Sequence, residues 1–184
     1  MQQTKATALP FSLSDRSAAS QIAWIAGFSL LTALAAQIEI PHNPVPMTLQ
    51  TFMVLLSGAL LGKRNGTISQ ALYLLMGVAG LPVFSHLGFG VARLLGPSGG
   101  YLLSFPVAAF IVGSLAGRRS TFLWSVVSMA AGLFAVFSLG VLHLNVLYYH
   151  DWSASLANGF VVFSLWDAVK ILAAAGIQRS ISRR

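Results

Sequence analysis

From Ser155 to Ile177 the chain runs through apolar residues with only two charges, Asp167 and Lys170. A run of this length is long enough to cross a bilayer as a helix, which needs about 20 residues. Ionised side chains are costly in the hydrocarbon region, so they face a protein interior or a polar cavity and find a partner there. Residues i and i+3 share a helix face, so the two charges are expected to point inward together. Two readings follow: an ion pair that ties helices together, or a buried site for a small polar molecule.

The rest of the chain extends the membrane reading. Of 184 residues, 56% are hydrophobic and 8% charged. Soluble domains carry roughly 25% charged residues. Such a chain cannot cover a water-facing surface, and its length leaves room for five or six spans but no soluble domain beside them. The expected fold is an all-α integral membrane protein, one membrane domain over residues 1–184. Residues 1–20 form a cytoplasmic N-terminal segment and residues 21–178 the helical domain. Lys5 and Arg16 precede an apolar stretch, and Ala33-Leu34-Ala35 has the look of a cleavage motif. The stretch is long enough to span, and it is expected to stay.

Six apolar segments are expected to be helices: Ile22–Ile38, Met47–Leu61, Ile68–Leu81, Tyr101–Ala116, Phe122–Leu142 and Leu156–Ile177. Strands are excluded as spans because open strands leave backbone groups unpaired in lipid. With six spans, nine basic residues fall on one side: Lys5, Arg16, Lys63, Arg64, Arg118, Arg119, Arg179, Arg183 and Arg184. The opposite loops hold only Arg93. The positive-inside rule then makes both termini cytoplasmic. The outer loops are Glu39–Pro46, with three prolines that exclude helix, Pro82–Gly100, and His143–Ser155. The middle loop is rich in glycine, which lets backbone approach a ligand closely.

Several functions are poorly served. The net charge is +7, but no basic stretch carries interleaved aromatics, so nucleic acid is set aside. There is no cysteine and hence no thiol chemistry. His42, His86, His143 and His150 include no metal-binding pair. Four carboxylates, Asp15, Glu39, Asp151 and Asp167, are poor equipment for intramembrane hydrolysis or proton pumping. Gly58-x-x-x-Gly62 and Gly113-x-x-x-Gly117 have the spacing of close helix contacts. So do Ala19/Ala23/Gly27 and Ser29/Ala33 in the first span, where a docking face for a partner competes with packing inside the chain.

Three segments carry a specific resemblance: Ala36-Gln-Ile-Glu-Ile-Pro-His-Asn-Pro-Val-Pro-Met-Thr-Leu-Gln-Thr51, Gly80-Leu-Pro-Val-Phe84 and Leu95-Gly-Pro-Ser-Gly-Gly-Tyr-Leu102. With them the chain resembles the BioY family, biotin-specific substrate-binding (S) components of energy-coupling factor (ECF) transporters. The resemblance covers about residues 20–178. It implies six membrane helices in the plasma membrane, no enzymatic activity, no cofactor, and biotin as the transported ligand. It also implies a transmembrane coupling protein and two ATPase subunits as partners. Self-association into a homo-oligomer is compatible with it. By matching motif positions, the resemblance implies Arg93, Asp167 and Lys170 as substrate-binding residues.

The chemistry agrees. A carboxylate such as Asp167 accepts from ureido N–H groups, and a cation such as Lys170 or Arg93 pairs with the valerate carboxylate. Phe84, Tyr101, Phe163 and Trp166 are candidate walls for the bicycle, and Gln50 and Thr48 candidate hydrogen-bonding groups. The same fold tuned to another vitamin is the first rival, and an intramembrane enzyme or a structural membrane protein the second.

Overall fold

The structure, a computed structural model, describes residues 17–118, 121–160 and 164–182. Lys5, Arg16, Arg119, Phe163, Arg183 and Arg184 lie outside the described residues. Helix α1 spans Ala18–Ala36. The Ser17 side chain caps it, accepting from the Ser20 amide and satisfying one of the donors a helix start leaves open. The proline-rich loop after α1 closes as a minimal hairpin. Strand β1 (Glu39–Ile40) pairs antiparallel with β2 (Met47–Thr48). Met47 and Thr48 therefore belong to a strand, and the expected helix over Met47–Leu61 begins only at Gln50.

Helix α2 (Gln50–Val78) is two helical arms joined at Gly62, where φ is +77° and ψ 175°. Only glycine adopts that backbone region without strain. The Gln50 side chain donates to the Tyr73 hydroxyl, and Gln70 Nε2 donates to Ser57 Oγ at 3.1 Å. On a straight helix Gln50 and Tyr73 would stand about 34 Å apart, at 1.5 Å per residue. The arms, residues 50–61 and 63–78, therefore run back along each other.

The outer loop after α2 is more ordered than its glycines suggest. It holds a 3₁₀ turn at Ser85–Leu87 and a short helix α3 (Val91–Leu95). Gln37, just past α1, fastens it: Nε2 donates to the Phe84 carbonyl at 3.0 Å, and Oε1 accepts from the Leu87 amide at 3.2 Å. Glu39 Oε1 meets His86 Nε2 at 2.9 Å.

Helix α4 (Gly99–Ala116) packs between α2 and α5 (Phe122–Leu144). A Cβ on Gly58 would fall 2.5 Å from the Ala109 carbonyl oxygen, and one on Gly113 would fall 2.4 Å from Lys63 N. Gly58 and Gly113, the first glycine of each small-residue motif, thus serve packing within the chain. In α1, Ser29 is buried and donates to the Ser69 carbonyl at 2.7 Å, whereas Ala19 and Ala23 are exposed. The two halves of that helix's small-residue pattern face different ways.

Helix α5 continues through a π-helical turn to Tyr149. The expected single helix over Leu156–Ile177 is instead α6 (Trp152–Gly159) and α7 (Ser164–Ser182). The Tyr101 hydroxyl donates to the Gly159 carbonyl at 2.8 Å, so an α4 side chain takes a backbone acceptor where α6 ends. Helix α7 packs on α5 and α2.

Six long helical segments result among the described residues: α1, the two arms of α2, α4, α5 and α7. Among the described residues, three helices are long and apolar enough by themselves to cross a membrane: Ala18–Ala36, Gly99–Ala116 and Phe122–Tyr149. Of the described basic residues, Lys63, Arg64, Arg118 and Arg179 gather toward one end. Lys63 abuts the end of α4 that leads to Arg118. The guanidinium of Arg179 lies over the Phe122 ring, 6.0 Å from its centroid.

Candidate functional site

Asp167 and Lys170 enter the protein from the first two turns of α7 and meet α2 at its start. Asp167 is 2% exposed and Lys170 4%. Lys170 Nζ lies 2.6 Å from Asp167 Oδ1. It also donates to the Thr48 carbonyl at 2.9 Å and to Thr51 Oγ1 at 2.7 Å. An ammonium has three N–H donors, and all three are engaged. The Thr51 hydroxyl in turn donates to Asp167 Oδ1 at 3.2 Å. Asp167 Oδ2 is buried and, among the described residues, has no hydrogen-bond partner. The helical i, i+3 spacing thus does bring the two charges together, and it leaves one carboxylate oxygen open.

Asp167 is also part of the wall of a cavity. The cavity encloses about 500 Å³ of space between the atoms, counting the part open to solvent. Its apolar walls are Tyr101, Phe105, Val136 and Phe137, and its polar groups include Thr48, Gln50, Thr51, Asp167 and Lys170. Val45 and Pro46 of the hairpin and Ser85 of the outer loop line it too, which puts it at the end of the helices opposite Lys63. Apolar walls with a few converging polar groups are what a compact ligand with a polar edge requires.

Gln50 sits in a chain of hydrogen bonds. The Thr48 hydroxyl donates to Gln50 Oε1 at 2.8 Å, Gln50 Nε2 donates to the Tyr73 hydroxyl, and that hydroxyl donates to the Val83 carbonyl at 3.1 Å. The polar floor is therefore joined to the outer loop. Tyr101 meets Phe137 edge-on, with centroids 6.3 Å apart at 81°. Phe84 is buried behind the cavity: its ring stands edge-on to Tyr73 at 5.6 Å and fills the space beside Gly77.

Besides Phe84, two expected residues stand away from the cavity. Trp166 is 38% exposed and is no part of the cavity wall. Arg93 is half-buried on α3, with its guanidinium against Gly88, and does not line the cavity. Conversely, Thr51, Phe105 and Phe137 line it without having been singled out from the sequence. Thr51 closes the Pro-Val-Pro-x-Thr-Leu-Gln-Thr run, and Phe105 follows Tyr101 by four residues, one helical turn. Those spacings were the available signals; Phe137 has none.

A model of the BioY family matches residues 3–184. A biotin transporter BioY of Thermotoga maritima is 45% identical over 148 residues, which is 80% of this chain and 87% of that protein. A probable biotin transporter BioY of Pyrococcus horikoshii is 39% identical over 136 residues, 67% of this chain and 84% of that one. In fold, the chain superposes on the 2.1 Å crystal structure of the S-component for biotin from an ECF-type ABC transporter. The TM-score is 0.83, with 25% identity over 90% of this chain and 92% of that one. The family model, the identity to these relatives and the shared helical fold converge, and the chain belongs to the BioY family.

Proposed function

We propose that this chain is a biotin-binding S component, which captures biotin at the outer face of the plasma membrane and delivers it to the cytoplasm. The observation that carries the reading is Asp167, a buried carboxylate in the wall of an apolar cavity, with one oxygen left without a hydrogen-bond partner among the described residues. Biotin offers ureido N–H donors on a compact apolar bicycle. A charged acceptor in a dry site suits such donors, and Tyr101, Phe105 and Phe137 suit the ring system. The names and fold of the relatives agree with this ligand.

The roles divide by chemistry. Asp167 accepts from the ureido ring. Lys170 balances its charge, since its donors are already taken. Gln50 and Tyr101 shape the polar and aromatic sides, and Phe84 backs them through Tyr73. Arg93, the cation of the outer loop, receives the valerate carboxylate, a role that asks the loop to bring α3 over the bound ligand.

The six long segments cross the membrane as one domain, with both termini in the cytoplasm. The gathering of Lys63, Arg64, Arg118 and Arg179 toward one end supports that orientation. The chain performs no covalent chemistry. A transmembrane coupling protein and two ATPase subunits supply the energy. One experiment tests the whole reading: labelled-biotin binding by the purified chain, and uptake by cells with and without coexpressed coupling subunits. Binding without the partners, and accumulation only with them, is expected. A purified chain that does not bind biotin would refute it.

A further inference from the structure

Thr51 stands in the first turn of α2 and touches both charges of α7. Its hydroxyl accepts from Lys170 Nζ at 2.7 Å and donates to Asp167 Oδ1 at 3.2 Å. A hydroxyl has one proton to donate, and here it goes to the carboxylate. Oδ1 therefore receives two donors, one from its own helix and one from α2, while Oδ2 receives none among the described residues. A carboxylate is planar, so fixing one oxygen from two directions fixes where the other points. Lys170 alone would not do this, because an ammonium on a flexible stem acts as a point charge and imposes little direction.

We propose that Thr51 is a positioning residue for ligand recognition. Its hydroxyl reaches across from α2 and turns the Asp167 carboxylate so that Oδ2 accepts one ureido N–H. The inference rests on the reading that the cavity takes biotin. It assigns selectivity for the ureido edge to a contact between two helices rather than to α7 alone. Thr51→Val keeps the shape of the side chain and removes the hydroxyl; Thr51→Ser keeps the hydroxyl.

The test uses the purified full-length chain and direct titration with biotin. Thr51→Val is expected to bind roughly tenfold more weakly, the usual scale for a lost hydrogen bond near a charge. Thr51→Ser is expected to stay within about threefold of the unmodified chain. On an Asp167→Asn background, Thr51→Val is expected to change affinity by less than about threefold, because the group it orients is gone. Biotin affinity unchanged in Thr51→Val, or an equal loss on both backgrounds, overturns the proposal while leaving biotin binding itself intact. If Thr51→Val does not yield folded protein, Thr51→Ser decides: a tenfold loss there overturns it. Failure of the unmodified chain to bind biotin would instead remove the parent reading, and this inference with it.

Discussion

At the scale of single residues, Asp167 and Lys170 are bound to each other but not equally dependent on each other. Lys170 keeps the Thr48 carbonyl and Thr51 Oγ1 if the carboxylate is neutralised. Asp167 keeps only the Thr51 hydroxyl if the ammonium is removed. Breaking a buried pair from one side costs about 3–5 kcal/mol, because a charge is left uncompensated. Lys170→Ala should therefore lower the melting temperature of the purified protein more than Asp167→Asn does. Asp167→Asn should appear chiefly in the titration, weakening biotin binding by about 1.5–3 kcal/mol, as expected for a hydrogen bond to a charged group. A second residue prediction concerns Arg93. If it receives the carboxylate, Arg93→Ala should weaken biotin more than biotin amide. Equal losses for acid and amide would leave the loop cation a structural role. The α7 pair was legible in the sequence because charges in an apolar run have few places to go. Thr51 was not, because nothing in one strand of sequence says which side chain will meet a carboxylate 116 residues away.

At the scale of elements, the informative object is the turn inside α2. Gly62 has φ +77° and ψ 175°, and a Cβ there would meet nothing within 4 Å. The cost of Gly62→Ala is then conformational alone, about 1–3 kcal/mol, and should register as a lower melting temperature with biotin affinity nearly unchanged in the folded fraction. Helix α1 gives a sharper contrast. Ala23 is exposed, while Ser29 is buried against the Ser69 carbonyl. Ala23→Trp should spare binding and impair uptake with coupling subunits present, if that face meets the coupling protein. Ser29→Trp should fail already at folding, seen as loss of the monodisperse protein on gel filtration. The helices and their approximate limits could be read from apolar content. The break between α6 and α7 could not: the apolar run is continuous there, and the partner of Gly159 is a tyrosine on α4.

At the scale of the whole molecule, the helical arms differ in how they meet lipid. The arm over residues 50–61 is about 18 Å long and the arm over 63–78 about 24 Å, at 1.5 Å per residue. Both fall short of a hydrocarbon core of about 30 Å. The first arm is enclosed, with residues 54–59 buried by its neighbours. The second presents Ile68, Leu75 and Val78 outward. Beside that arm, in the proposed arrangement, the bilayer must thin, with Lys63 and Arg64 drawing the headgroups inward at its base. Hydrophobic mismatch is then local to one flank of the protein. Reconstitution in lipids with longer acyl chains should lower its thermal stability relative to shorter ones, with the ligand cavity, walled off by α4, α5 and α7, changing biotin affinity little. A short turn at one glycine would thereby set the membrane thickness this protein prefers.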